Sequence, residues 1–246
     1  MPQLDASRRR SPRVAILAAG DGGRLRPYTD GRPKALAPVA GVPLIAYVLR
    51  AVADAGVSEV LLVVGYEGEQ VKRWVGDGTR YGLRVSYAEN EAFTLGNARS
   101  LWVASRVWEP PFAALMGDHL TEAGALPRFL DAVGPSPAIA VDGSDLGDDD
   151  GEATRVLVED GRVVRIGKRI EPWNAVDMGI FWVTETMVPF LEGDLRDGEA
   201  AAVLQALADA GELRAVDLGS PRWLDVDTPG DLARAEALAR DGVFVA

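Results

Sequence analysis

The chain has no cysteine and a single histidine, His119, among its 246 residues. Disulfides and thiolate metal sites are thereby excluded, and carboxylates are left as the expected ligands of any metal, which points to a hard cation such as Mg²⁺. Positive charge is scarce as well: 26 Lys and Arg face 37 Asp and Glu, for a formal net charge of −11. Nucleic acid and anionic membranes are therefore not expected partners of the surface as a whole. No apolar run approaches the roughly 18 residues of a membrane span. The arginines near the N-terminus precede no signal-peptide pattern, so a cytoplasmic protein is expected.

What is present is enough apolar residue, 48% of the chain, to bury a sizeable core in one domain. Residues 1–12 read as a frayed, disordered start and 13–246 as the domain. Apolar strand runs at Val14–Ala18, Val60–Val64, Leu83–Tyr87 and Phe112–Met116 alternate with helical patterns at Leu44–Ala55, Glu69–Val75 and Asn97–Val107. This βαβα rhythm predicts an α/β fold with a parallel sheet wrapped by helices.

Beyond Gly134 the sequence turns rich in Pro, Gly, Ser and Asp as far as Gly151, which reads as an exposed loop after a strand at Ala138–Val141. Asp160-Gly161 between Thr154–Glu159 and Arg162–Ile166 signals a hairpin, expected as a small antiparallel element over one end of the sheet. A strand at Ala175–Val183 and helices at Ala200–Ala210 and Leu232–Ala239 complete the expectation.

The densest chemistry lies in Leu17–Ile45, where an apolar strand breaks at Gly20, Gly22 and Gly23. Glycines let backbone N–H groups converge on phosphate oxygens, and Arg24 and Arg26 add forked donors. Lys34 follows behind Pro33. The layout suits a nucleoside triphosphate. It is neither dinucleotide fingerprint nor P-loop, because Leu25 stands where G-x-G-x-x-G needs its third glycine and no Gly-Lys-Ser/Thr follows.

In parallel sheets ligands bind beyond the carboxyl ends of strands, where this loop and the one after Met116 both emerge. Asp118 ends that second strand, and Asp225 and Asp227 lie close together far downstream. Alternation puts the latter two on one face, so Asp118, Asp225 and Asp227 could form a Mg²⁺ site. Thr228-Pro229 after Asp227 reads as the cap of the last helix. Lys168, just after the hairpin, is a candidate clamp for a second phosphate.

Gly20, Gly22, Arg24, Pro33 and Lys34 together resemble the signature G-x-G-T/S-R, followed by P-K, of the nucleotidyltransferases that make nucleotide sugars and CDP-alcohols. Gly23 departs from it by replacing the usual Thr or Ser with backbone amide alone. The resemblance implies a Rossmann-like, GT-A-like, mostly parallel sheet with helices on both faces. It also implies nucleotide contacts from Leu17, Ala18, Ala19, Gly20, Gly22, Gly23, Arg24, Lys34 and Asp118.

Further motifs in the same order, Gly117-Asp118-His119, Gly151-Glu152-Ala153-Thr154, Ile166-Gly167-Lys168, Val176-Asp177-Met178-Gly179 and Trp223-Leu224-Asp225-Val226-Asp227-Thr228, resemble the cytidylyltransferases of inositol 1-phosphate. His119, Glu152, Thr154, Lys168, Asp177 and Gly179 are then the implied acceptor residues, with His119 positioning rather than exchanging protons. Glu89, Gly96, Asn97 and Ser100 are the implied base-side residues. No glutamine precedes Gly96-Asn97-Ala98, as it does in uridylyl- and thymidylyltransferases, which favours cytosine.

The resemblance implies attack of a phosphorylated alcohol on CTP, with Arg24, Lys34 and Lys168 as the catalytic cations and pyrophosphate released. Sugar-1-phosphate transfer with UTP, dTTP or GTP, and phosphocholine or phosphonate acceptors, are the alternatives. A separate membrane-bound CDP-alcohol phosphotransferase is the implied downstream partner.

Overall fold

The computed structural model describes residues 12–25, 28–29, 31–144 and 153–246. Arg26, Glu152 and the acidic run at 148–150 lie outside the described residues, as do residues 1–11 of the expected frayed start.

Strand β1 (Arg13–Ala18) leads through the glycine loop to a short hairpin, β2 (Pro38–Val39) and β3 (Val42–Pro43), and then to α1 (Leu44–Asp54). The chain continues as β4 (Glu59–Val64), α2 (Gly68–Val75), β5 (Arg84–Glu89), α3 (Asn97–Val107) and β6 (Phe112–Met116). Next come β7 (His119–Thr121), α4 (Ala125–Ala132), β8 (Ala138–Asp142), β9 (Arg155–Glu159), β10 (Arg162–Gly167) and β11 (Ala175–Val183). Helix α5 (Ala200–Asp209), β12 (Arg214–Asp217), β13 (Trp223–Asp225) and α6 (Pro229–Arg240) follow.

Among the described residues these strands build a nine-stranded sheet in the order β5-β4-β1-β6-β11-β8-β12-β10-β9. Strands β5, β4, β1 and β6 pair in parallel, as the sequence rhythm predicts. β1 and β4 are buried along nearly their whole length without alternation, the pattern of strands covered on both faces. Successive side chains go to opposite sides: Val14, Ile16 and Ala18 enter one apolar cluster, Ala15 and Leu17 the other.

The second half departs from that pattern. Strand β11 runs antiparallel between β6 and β8. The β9–β10 hairpin does not sit over the sheet, as expected from the sequence, but joins it: β10 meets β12, and β9 returns to pair with Ala175 and Val176 of β11. Its turn is the one foreseen, with Asp160 at φ +49° and Gly161 at φ +72°, the left-handed pair that a tight two-residue turn requires. Helix α4 and the small β13–β7 sheet were not foreseen. Among the described residues no helix is long and apolar enough to cross a membrane.

Candidate active site

The glycine loop opens where β1 ends. Only Gly22 of its glycines takes a left-handed conformation, at φ +66°, and a Cβ there would lie 3.0 Å from Lys34 Cβ. The loop thus folds closely over the Lys34 backbone, whose N–H faces the Gly20 carbonyl at 3.4 Å. A Cβ on Gly20 would meet nothing within 4 Å among the described residues, which leaves that stretch of backbone open to a ligand on their side. Leu17, Ala18 and Ala19 are each 5% exposed and form the floor beneath it. Gly117 lets β6 turn tightly against β1, because a Cβ there would come 2.8 Å from the Leu17 carbonyl oxygen. Asp118 is delivered by that turn to the mouth of the loop.

Lys34 is the hub. Its side chain is 10% exposed, and Nζ lies 2.6 Å from Asp118 Oδ2 and 3.8 Å from Asp225 Oδ1, and donates to Asp227 Oδ1. Burial opposes its charge, but the three carboxylates outweigh burial and hold the amine above its ordinary range. Arg24 donates to the other oxygen of Asp227. The three acids singled out in the sequence are therefore gathered on one ammonium group.

His119 stands beside the carboxylates that the sequence offers as metal ligands. Its Nδ1 lies 2.9 Å from the Met178 carbonyl oxygen. A carbonyl only accepts, so Nδ1 carries the hydrogen and Nε2 faces Asp225 Oδ2 at 3.4 Å and Asp118 Oδ1 at 3.8 Å. Burial disfavours the imidazolium, yet the adjacent Asp225, followed by Asp118, pushes its pKa up to about 10. Burial acts to raise Asp225 in turn, but the charge and hydrogen bond of His119, with Lys34, hold it well below the usual carboxylate range.

Donor atoms of Asp118, His119 and Asp225 lie within 4.8 Å of one another, a spacing that one ion can bridge. Asp118 Oδ1 and Asp225 Oδ1 are buried without hydrogen-bond partners among the described residues. Buried oxygens left unsatisfied beside a hard-donor cluster fit a divalent cation.

A cavity of about 440 Å³ opens from this cluster. Arg24, Asn97, Asp118, Asp225 and Asp227 line it, and so do the acceptor candidates His119, Thr154, Lys168, Asp177 and Gly179. Gly179 sits at φ +69° in the irregular stretch of β11, where a Cβ would lie 2.3 Å from His119 Nδ1. Asp177 Oδ1 accepts the Gly179 N–H at 3.0 Å. Burial raises Asp177 to about 6, against the pull of that bond and of His119.

The base-side candidates divide. Glu89 lines a second cavity of about 170 Å³ with Gly65, Asn90 and Phe93. This cavity adjoins the start of the glycine loop, since a Cβ on Gly65 would strike Ala19. Ser100 is 3% exposed and accepts from Asn90 Nδ2 at 3.0 Å, so it supports the wall rather than lining it. Gly96 is required by packing: at φ +120° its Cβ would lie 2.3 Å from the Gly198 carbonyl oxygen. Asn97 does not cap α3, whose cap is Gly96; its Oδ1 accepts from Ala200 N–H at 2.6 Å and ties α3 to α5.

Glu199, Trp223 and Arg234 also line the main cavity and were missed. Trp223 stands two residues before Asp225 and was the one within reach of the motif. Glu199 and Arg234 carry no pattern that marks them.

The model of the family described as nucleotidyl transferase matches residues 13–242. A bifunctional IPC transferase and DIPP synthase from Rubrobacter xylanophilus is 37% identical over 246 residues, which cover 97% of this chain and 54% of that protein. A protein of the same name from Aquifex aeolicus is 31% identical over 225 residues, 91% of this chain and 50% of its own. The chain thus spans about half the length of these curated relatives. The solved inositol-1-phosphate CTP transferase from T. maritima superposes with a TM-score of 0.82 at 28% identity, covering 95% of this chain and 98% of that one.

Proposed function

The chain belongs to the nucleotidyl transferase family, and from that membership we propose that it transfers the cytidylyl group of CTP to a small phosphorylated alcohol, with inositol 1-phosphate as the preferred acceptor. The observation that carries this reading is the likeness, over nearly the full length of both chains, to the T. maritima inositol-1-phosphate CTP transferase. The cavity supports it, because Arg24 and Lys168, one candidate for each phosphate-bearing substrate, open on the same space as the Asp118–Asp225 cluster.

In this reading an oxygen of the acceptor phosphate attacks the α-phosphorus of CTP in line. The bond from that phosphorus to the α–β bridging oxygen breaks, and pyrophosphate leaves with the electron pair. The attacking phosphate is ionised near neutral pH, so no base is called for. Arg24 and Lys34 meet the charge of the triphosphate, and Lys168 holds the attacker. Lys34 must exchange a carboxylate partner for a phosphate oxygen as it does so. Asp118 and Asp225, with Asp227 beside them, would hold Mg²⁺, which when bound neutralises phosphate charge. Glu89 and its cavity would take the cytosine side.

The product, a CDP-alcohol, is activated for attack by a hydroxyl with loss of CMP, and a membrane-bound CDP-alcohol phosphotransferase is its proposed consumer. The reaction is assigned to the cytoplasm. Pyrophosphate release measured with CTP, Mg²⁺ and a panel of phosphorylated alcohols tests the whole reading. Inositol 1-phosphate should give the highest kcat/KM; failure of every acceptor in the panel to give pyrophosphate would sink the enzymatic role, and a preference for UTP, dTTP or GTP would sink the assignment of the base.

A further inference from the structure

Strands β7 and β13 form a ribbon only three residue pairs long, in which Asp225 stands directly opposite His119. Asp118 immediately precedes it. A two-stranded ribbon of that length has little stability of its own. Its backbone ties, Val226 N–H to the Asp118 carbonyl at 3.1 Å and Glu122 N–H to the Arg222 carbonyl at 2.8 Å, join the two strands to each other. They do not set where the ribbon stands against the main sheet.

Side chains supply the directional ties to that sheet: on β7, His119 Nδ1 meets the Met178 carbonyl of β11 at 2.9 Å, and on β13 the tie is made by Trp223. Trp223 Nε1–H donates to Asp142 Oδ2 at 3.1 Å, across 81 residues of sequence. Asp142 is the last residue of β8 and is 3% exposed. Its other oxygen accepts from the Ser144 N–H at 2.9 Å and the Ser144 hydroxyl at 2.6 Å, which leaves the carboxylate locked in one orientation. A carboxylate taken out of water is costly, and the proposed reaction makes no use of this one. The Trp223 ring in turn packs beside His119, with centroids 5.8 Å apart and planes 31° from parallel.

We propose that Asp142 is a positioning residue for the metal-binding carboxylates: by fixing the Trp223 indole it holds β13 so that Asp225 faces Asp118. The inference rests on the reading that Asp118 and Asp225 hold the divalent cation. Groups that orient metal ligands from behind are worth roughly 10–100-fold in metal affinity when lost.

The test is titration of the full chain with Mn²⁺, in the presence of CTP and without acceptor, followed by electron paramagnetic resonance. Asp142→Ala and Trp223→Phe are each compared with the unaltered protein and with the double variant. Trp223→Phe keeps an aromatic ring beside His119 but lacks the N–H, so it isolates the tie. Each single variant should weaken Mn²⁺ binding about 10-fold or more. The double variant should be no worse than the weaker single, because both cut one interaction. Unchanged Mn²⁺ affinity with only a lowered melting temperature, or losses that add in full, would overturn the proposal. If Asp142→Ala does not fold, Trp223→Phe decides by the same affinity criterion. Failure of the unaltered protein to bind Mn²⁺ would overturn the metal assignment itself and this inference with it.

Discussion

Lys34 Nζ and Asp118 Oδ2 meet at 2.6 Å although 84 residues separate them. The contact joins the segment that follows the glycine loop to the turn after β6, a strand that pairs in parallel with β1. Asp225 and Asp227 then reach the same ammonium from the far end of the chain. Lys34 is therefore the counter-ion of three acids, and in the proposed reaction it is also a cation for the triphosphate.

Lys34→Met separates these two roles. Loss of one cation that stabilises the transition state should cost about 3 kcal/mol, roughly a hundredfold in kcat. The three carboxylates left behind should also destabilise the metal-free protein by about 3–5 kcal/mol, the usual result of removing one partner from a buried ion pair. Mg²⁺ should recover part of that loss, whereas in the unaltered protein it should add less. Initial rates and denaturant midpoints with Mg²⁺ or EDTA check both halves; unchanged turnover would remove Lys34 from the catalytic set.

Lys168→Ala addresses the other end of the cavity. If Lys168 clamps the acceptor phosphate, KM for the phosphorylated alcohol should rise and kcat/KM fall on the order of a hundredfold, with KM for CTP unchanged. Steady-state kinetics with each substrate varied in turn read this directly. A rise confined to the KM of CTP would move Lys168 to the nucleotide side.

Legibility from sequence followed the kind of signal. Strands such as Phe112–Met116 and Ala175–Val183, and the helix Asn97–Val107, lie at the residues that periodicity predicts, because burial on one or both faces imposes a pattern along a single segment. Arg24, Lys34, Asp118, Asp225 and Asp227 stand out in the sequence by residue type and motif, and the structure gathers all five into one cluster. What was hidden depends on contacts across the chain. Asn97 is implied as a base-side residue, yet its amide oxygen serves the start of a helix more than a hundred residues on. Asp142 sits in an ordinary strand end and gains its meaning only from Trp223. The β9–β10 hairpin was visible as a hairpin, but the edge it joins is set by β12 and β11.

Gly179→Ala probes the close approach in β11. Its methyl group would have to occupy space 2.3 Å from His119 Nδ1 and 2.6 Å from Cε1, at a φ of +69° that L residues rarely adopt. Strain of this kind costs of order 1–3 kcal/mol, and the ring that must give way is the one paired with Asp225. A lowered melting temperature together with a fall in turnover of at least tenfold is expected. Thermal unfolding and initial rates measured side by side decide; a drop in stability with full turnover would show that the position of His119 is immaterial to the reaction.

Asp177 supplies a pH dependence whose sign can be worked out. Its carboxyl is raised from 3.8 to about 6 by burial, so the folded protein binds this proton more tightly than the unfolded chain. The resulting stability is fully present below pH 3.8, is lost as pH rises through the window up to about 6, and does not return above it. Two units correspond to about 3 kcal/mol at most. Asp177→Asn carries no ionisable group and its amide oxygen can still accept the Gly179 N–H, so it should be more stable than the unaltered protein at pH 7. That advantage should shrink toward pH 4. Denaturant unfolding of both proteins across pH 4 to 8 gives the difference curve. If Asp177 also accepts hydroxyls of the acceptor, the same variant should raise acceptor KM while it gains stability, since a neutral amide is the weaker acceptor. A curve flat with pH would remove the buried-carboxylate account, whatever happened to KM.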